Sequence, residues 1–161
     1  YYEDAYLLFS VPEFTRSLAN NMRSASKVYA VDPAMFGAFS PASALDQGQR
    51  LETAVFNALR RRTPAVRIGS VCRLLIKEKS KSHEVDFVAG DALLMRAYSL
   101  IQVSADMASE KPREREIAAL DASMAQFDLG ESAIVTMDEQ TDIPCEHGVV
   151  HVMPAWKWLL A

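Results

Sequence analysis

Two short stretches alternate in polarity residue by residue, and that period of two constrains the chain more than any other feature. In HEVDFVA (83–89), Glu84, Asp86 and Val88 fall on one face of an extended strand while Val85, Phe87 and Ala89 fall on the other. In LIQVSA (100–105), Leu100, Gln102 and Ser104 oppose Ile101, Val103 and Ala105. Each stretch buries an apolar face and carries polar side chains on the opposite one. Paired as neighbouring strands, they make Asp86 and Gln102 cross-strand partners.

A helix precedes them. Leu51, Ala54, Val55, Ala58 and Leu59 recur at i, i+3, i+4, i+7 and i+8, a core-facing stripe. Asp46 and Gln49 have capping-box spacing at its start, Arg60, Arg61 and Arg62 complement the dipole at its end, and Thr63-Pro64 stops it. Glu52 sits at the edge of the stripe, where a carboxylate is partly desolvated. It reads either as a border residue paired with an arginine or as a ligand for a metal or water. Glu52, Asp86 and Gln102 thus lie on three elements able to converge on one point, as a magnesium-dependent phosphodiesterase requires.

Before the helix, residues 1–15 read as a last helical turn entering a strand, and 26–35 as a second strand making a hairpin with it. The polar link SLANNMRSAS joins them, and GAFSPASAL (37–45) is a connector. Beyond the helix, Arg67 to Ile76 reads as a strand and KEKSKS as a charged turn. Ser109 to Phe127 reads as a helix with Ile117, Leu120, Met124 and Phe127 on one side and Pro112 in its first turn. Ala133 to Met137 has the composition of a buried strand, so strand, helix and strand imply a parallel crossover. A loop over DEQTDIPCEHG, a strand at Val149 to Met153 and a short helix at Trp156 to Leu160 complete the chain.

With 161 residues, half of them hydrophobic, the chain can build a real core. A net charge of −4 argues against a dedicated nucleic-acid coat, although Arg60 to Arg62 and Lys77, Lys79 and Lys81 form local basic clusters. Cys72 and Cys145 have no disulfide-framework spacing, which points to a reducing, cytoplasmic setting. No apolar run is long enough to span a bilayer, so no membrane partner is expected. Cys145, His147 and His151, with Cys72 or His83, have the spacing of no common zinc site. The chain has no G-x-x-x-x-G-K-[ST] phosphate loop, and its start on Tyr1 suggests a piece of a larger protein.

LETAVFNALRRR, EVDFV, LIQVS, REREIAAL and the terminal WKWLL together resemble the C-terminal domain, of unknown function, of predicted bacterial and archaeal AAA+ ATPases, related to the PD-(D/E)XK restriction-endonuclease-like superfamily. The resemblance implies an α/β fold with a restriction-endonuclease-like core: a helix, three antiparallel strands, a crossover helix and a further strand. It places that nuclease-like domain at 37–161 and makes 1–36 a hairpin, the wing of a winged-helix-like region. It also implies an ATPase domain upstream in the same polypeptide, with ATP bound only there. The helix glutamate of the superfamily matches Glu52, its motif aspartate Asp86, its (D/E)XK acid Gln102 and its lysine Ser104.

The last two matches are departures. A glutamine still offers a carbonyl oxygen to magnesium or manganese, but serine brings no positive charge to the attacking water. Losing one such group costs on the order of a hundred- to ten-thousand-fold in rate. Lys111 or the lysine-rich turn stands as a replacement. Three functions follow: a degenerate module that recognises nucleic acid or a partner for the ATPase, an active magnesium-dependent endonuclease liganding its ion through Glu52, Asp86 and Gln102, or a platform for homo-oligomerisation. If the superfamily core is right, Asp86, Gln102 and Ser104 point to the same side of one sheet as the helix bearing Glu52.

Overall fold

The computed structural model describes residues 1–17, 26–35, 44–63, 70–77, 82–107 and 109–161. Among these the chain forms β1 (Leu8–Val11), β2 (Lys27–Ala30), α1 (Ala44–Arg62), β3 (Val71–Lys77), β4 (Ser82–Asp91), β5 (Arg96–Val103), α2 (Glu110–Phe127), β6 (Glu131–Thr136), β7 (Thr141–Pro144), β8 (Val149–Pro154) and α3 (Ala155–Leu160). β3 to β8 make one six-stranded mixed sheet in the order β3-β4-β5-β6-β8-β7. The three strands β3, β4 and β5 run antiparallel, and α2 then carries the chain across so that β6 pairs parallel with β5. The fold is α/β, as the alternation of strand and helix periods requires.

The sheet is buried on both faces because its inner strands alternate between two cores. Phe87, Ile101 and Val135 pack against Val55, Phe56 and Leu59 of α1 and Trp158 of α3. Val85, Val88, Leu100, Ile134, Val150 and Val152 pack against Leu120 and Met124 of α2. Each such side chain stabilises the fold by roughly 1.5–3 kcal/mol on leaving water. The α1 stripe is wider than its apolar spacing implies, since Thr53 and Asn57 are also buried. Asn57 earns its place by donating to the carbonyls of Ala30 and Val31 at 3.2 and 3.1 Å, which ties α1 to the end of β2.

The strict alternation expected of β4 does not survive. Val85 and Val88 lie in the same core, with Phe87 in the other. Cys72 pairs with Val88 and Leu74 with Val85, so Asp86 and Phe87 together oppose Arg73 alone. This is a β-bulge: the extra residue resets the parity of the strand and releases the Asp86 main chain from the regular ladder.

The hairpin shares the sheet's core. Its strands β1 and β2 pair from Leu8 with Ala30 to Val11 with Lys27. Val11 and Tyr29 are buried with Phe87 and Trp158 on the α1 side. Just past β1, Arg73 N–H donates to Pro12 O and Phe14 N–H to Arg73 O, so the chain covers the outer edge of β3. Phe14 then enters the opposite core and meets Phe127 of α2 edge-on at 5.5 Å.

Three other expectations are corrected. α1 begins at Ala44, ahead of the proposed cap at Asp46, within the usual uncertainty of helix ends. Ser104 lies beyond β5, which ends at Val103, although its N–H still donates to Val135 O. Residues 141–144, read as loop, form the edge strand β7 antiparallel to β8. β7 is largely exposed and so lacks the apolar alternation that marks a buried strand. At the turn between them, a Cβ on Gly148 would lie 2.2 Å from Gly130 O, so only glycine fits. The links around residues 17–26, 37–45 and 77–82, and the start of the strand expected at Arg67, fall wholly or largely outside the described residues.

Candidate functional site: carboxylates gathered around a lysine

Lys27, at the first position of β2, is the centre of the site. Its Nζ lies 2.9 Å from Glu52 Oε1, 2.9 Å from Asp86 Oδ1 and 3.2 Å from Glu84 Oε1. Burial works against the charge of this ammonium, but Asp86 and Glu52 more than offset it and hold its pKa above the ordinary lysine value. Tyr29, two residues on and therefore on the same face of β2, donates its hydroxyl to the same Glu52 oxygen at 2.5 Å. Burial, followed by the Glu52 carboxylate, pushes the Tyr29 phenol well above its usual range, so it remains a donor.

Asp86 is held from both ends by β5. Its Oδ2 accepts Val103 N–H at 3.0 Å, and its own N–H, freed by the bulge, donates to Gln102 Oε1 at 3.1 Å. A backbone N–H can only donate, so the carbonyl end of the Gln102 amide faces Asp86. Burial and the Glu52 charge push the Asp86 carboxyl up to about 6, with Lys27 acting in the opposite direction.

The sequence-derived residues thus come close together, but not from one side. Ile101 and Val103 flank Gln102 and belong with the α1-side core, so Gln102 faces α2, whereas Glu52 comes from α1. The expectation of a common face is corrected: the bulge at Asp86 lets one carboxylate serve both sides, bonding Lys27 while also lining a cavity under α2. That cavity, about 340 Å³, is bordered by His83, Glu84, Asp86, Gln102, Arg115 and Glu116.

Glu116 was not among the residues singled out by sequence. Burial, then the Asp86 charge, raises its carboxyl to about 7, with Ser104 and Arg115 opposing. Ser104 Oγ lies within hydrogen-bonding reach of this carboxyl and 3.1 Å from Asp106 O. Lys27 and Tyr29 were missed as well. The available signals were the placement of Lys27 on the aromatic face of its strand, and of Glu116 one turn before Leu120 on the inward face of its helix.

A second group, Asp121, Glu146 and His147, brings ligand-type atoms within 4.8 Å of one another at the surface. Asp121 accepts both the main-chain N–H of His147 at 2.9 Å and an approach of its Nδ1 at 3.2 Å. His151 pairs separately with Asp142 at 2.8 Å, and Cys72 is sealed in the α2-side core. Among the described residues no helix is long and apolar enough to cross a membrane. Set against protein-family models, curated proteins and solved structures, the chain matches none.

Proposed function

We propose that this chain is a nuclease-like module of an AAA+-type ATP-binding protein whose hydrolytic site has become a recognition element for nucleic acid or a partner. The order α1, antiparallel β3 to β5, crossover α2 and parallel β6 supports the core implied by the restriction-endonuclease-like resemblance, whereas Gln102 and Glu52 do not share the face that this core requires. One observation carries the functional reading: the ammonium of Lys27 lies between Glu52 and Asp86, the pair from which magnesium would be held.

As arranged, the residues do not fit a divalent ion. Magnesium needs oxygens at about 2.0–2.1 Å in octahedral array. Here Glu52 Oε1 takes both Lys27 and Tyr29, Asp86 takes Lys27 and Val103, and Gln102 Oε1 takes the Asp86 N–H. A tethered ammonium offsets part of the acids' charge but cannot coordinate and acidify a water as a divalent ion does.

A second reading, an active magnesium- or manganese-dependent endonuclease, draws on the same lysine: Lys27 supplies a positive charge beside Asp86 that Ser104 does not. The test is incubation of the purified chain with labelled single- and double-stranded DNA and RNA in magnesium or manganese. The recognition reading expects no turnover above an Asp86→Ala control. Cleavage abolished by Asp86→Ala establishes the second reading instead.

A further inference from the structure

The turn between β7 and β8 meets α2 in a mixed cluster that the site around Lys27 does not use. Asp121 reaches it half-buried from α2, and Glu146 and His147 reach it exposed from the turn, one ligand-type atom of each lying within 4.8 Å of the others. Main-chain bonds set two of these groups. Cys145 N–H donates to Gly148 O at 2.8 Å, Val149 N–H to Gly130 O at 3.0 Å, and His147 N–H to Asp121 Oδ1 at 2.9 Å, which leaves Oδ2 turned to the imidazole. Oδ2 stands 3.2 Å from His147 Nδ1. The other imidazole–carboxylate pair in the molecule is closer: His151 Nδ1 lies 2.8 Å from Asp142 Oδ1, within the roughly 2.7–2.9 Å of a charge-assisted hydrogen bond. Nitrogen and oxygen ligands held about 2.0–2.1 Å from one zinc ion at tetrahedral angles stand roughly 3.3–3.4 Å apart. The spacing of Asp121 and His147 is close to that edge. Glu146 makes no hydrogen bond or ion pair among the described residues, so a second carboxylate is held beside the pair with no cation of its own.

We propose that Asp121, Glu146 and His147 form a site for a divalent transition-metal ion of the zinc class, which clasps α2 to the β7–β8 turn. The donor set selects the ion. Magnesium and calcium take oxygen ligands in six- to eightfold arrays, whereas an imidazole nitrogen beside carboxylate oxygens suits zinc and its first-row neighbours. Two carboxylates balance the charge of a dication. The Glu146 side chain, being exposed, closes the remaining distance by rotation about its own bonds, and three protein ligands leave a fourth position to water. Cys145 is not part of the set, because its Sγ stands 3.6 Å from Ile143 O and packs against the α2-side core. The aspartate lies 26 positions before His147 on a different element, so no short sequence motif marks the site. This inference is independent of the function proposed for the residues around Lys27.

The experiment is a calorimetric titration of the 161-residue chain with zinc chloride, with cobalt(II) as a spectroscopic probe and magnesium as a separate arm. One zinc per chain and the visible absorption of four-coordinate cobalt are expected. Asp121→Asn keeps the oxygen that accepts His147 N–H but loses the charge; it and His147→Gln should each weaken zinc binding at least roughly tenfold, a loss that changes outside the ligand sphere already cause. Glu146→Gln, made on an exposed side chain with no other bond, should do the same and carries the test should the other two not fold. His151→Gln should leave binding unchanged. The proposal is overturned by an absence of saturable zinc binding, by binding that the folded ligand variants retain at full strength, by its loss in His151→Gln, or by magnesium displacing zinc at equal concentration, which would mark a merely acidic surface. Cleavage of nucleic acid, scored separately, bears on the Lys27 site alone.

Discussion

Replacing Lys27 by methionine keeps the aliphatic stem and deletes the charge shared by Glu52, Glu84 and Asp86. Breaking a fully buried ion pair costs about 3–5 kcal/mol. Lys27 is 29% exposed and its acids 21%, 34% and 10%, so solvent screens part of the loss and about 1–3 kcal/mol is expected. For a domain of this size that lowers Tm by roughly 2–12 °C at pH 8. The loss should shrink on acidification. Asp86 is already raised to about 6 with Lys27 beside it, and removing the lysine raises it further, so protonation relieves the repulsion below that pH. Thermal unfolding at pH 8 and pH 5, with and without magnesium, reads both effects. Magnesium should stabilise the methionine variant more than the wild type, because only the variant leaves the carboxylates without a resident cation. An unchanged Tm at pH 8, or equal magnesium stabilisation of the two proteins, would refute the assignment of Lys27 as the site's own counter-ion.

Tyr29→Phe removes the donor to Glu52 and should cost about 1.5–3 kcal/mol in urea unfolding, with no change in the slope of the transition. Gln102→Ala leaves the buried Asp86 N–H without its acceptor, and a loss of about 1–3 kcal/mol by the same assay is expected; a neutral result would mean that this hydrogen bond does not hold Asp86. Glu116 has a folded pKa raised from 4.5 to about 7, so its contribution is fully present below pH 4.5 and is lost as pH rises through 7. The groups acting on it are Asp86, Ser104 and Arg115, with Glu84 and His83 across the cavity. Glu116→Gln should therefore flatten the decline of stability between about pH 4.5 and 7, which a series of urea titrations would show. Gly148→Ala should destabilise through collision with Gly130, and a Tm within error of the wild type would contradict the packing of that turn.

The sequence by itself determined the elements whose signal is local. The apolar spacing of Leu51, Val55 and Leu59, or of Leu120 and Met124, specifies a helix and its buried face because neighbours on a helix are three or four residues apart. The alternation around Gln102 likewise oriented β5, and the nearness of Asp86 to Gln102 followed from pairing adjacent strands. Tertiary structure decided what lies between these elements. Lys27 stands 25 residues before Glu52 and 59 before Asp86, and no periodicity links such positions; the hairpin's packing against α1 and β3 brings its ammonium to both acids. The bulge at Asp86 depends on how many residues the neighbouring strand places opposite, a property of β3 as much as of β4. Glu116 became part of the site only when α2 lay across β4 and β5, since a carboxylate in the first turns of a helix otherwise reads as solvated and loses that character when a cavity wall takes the place of water.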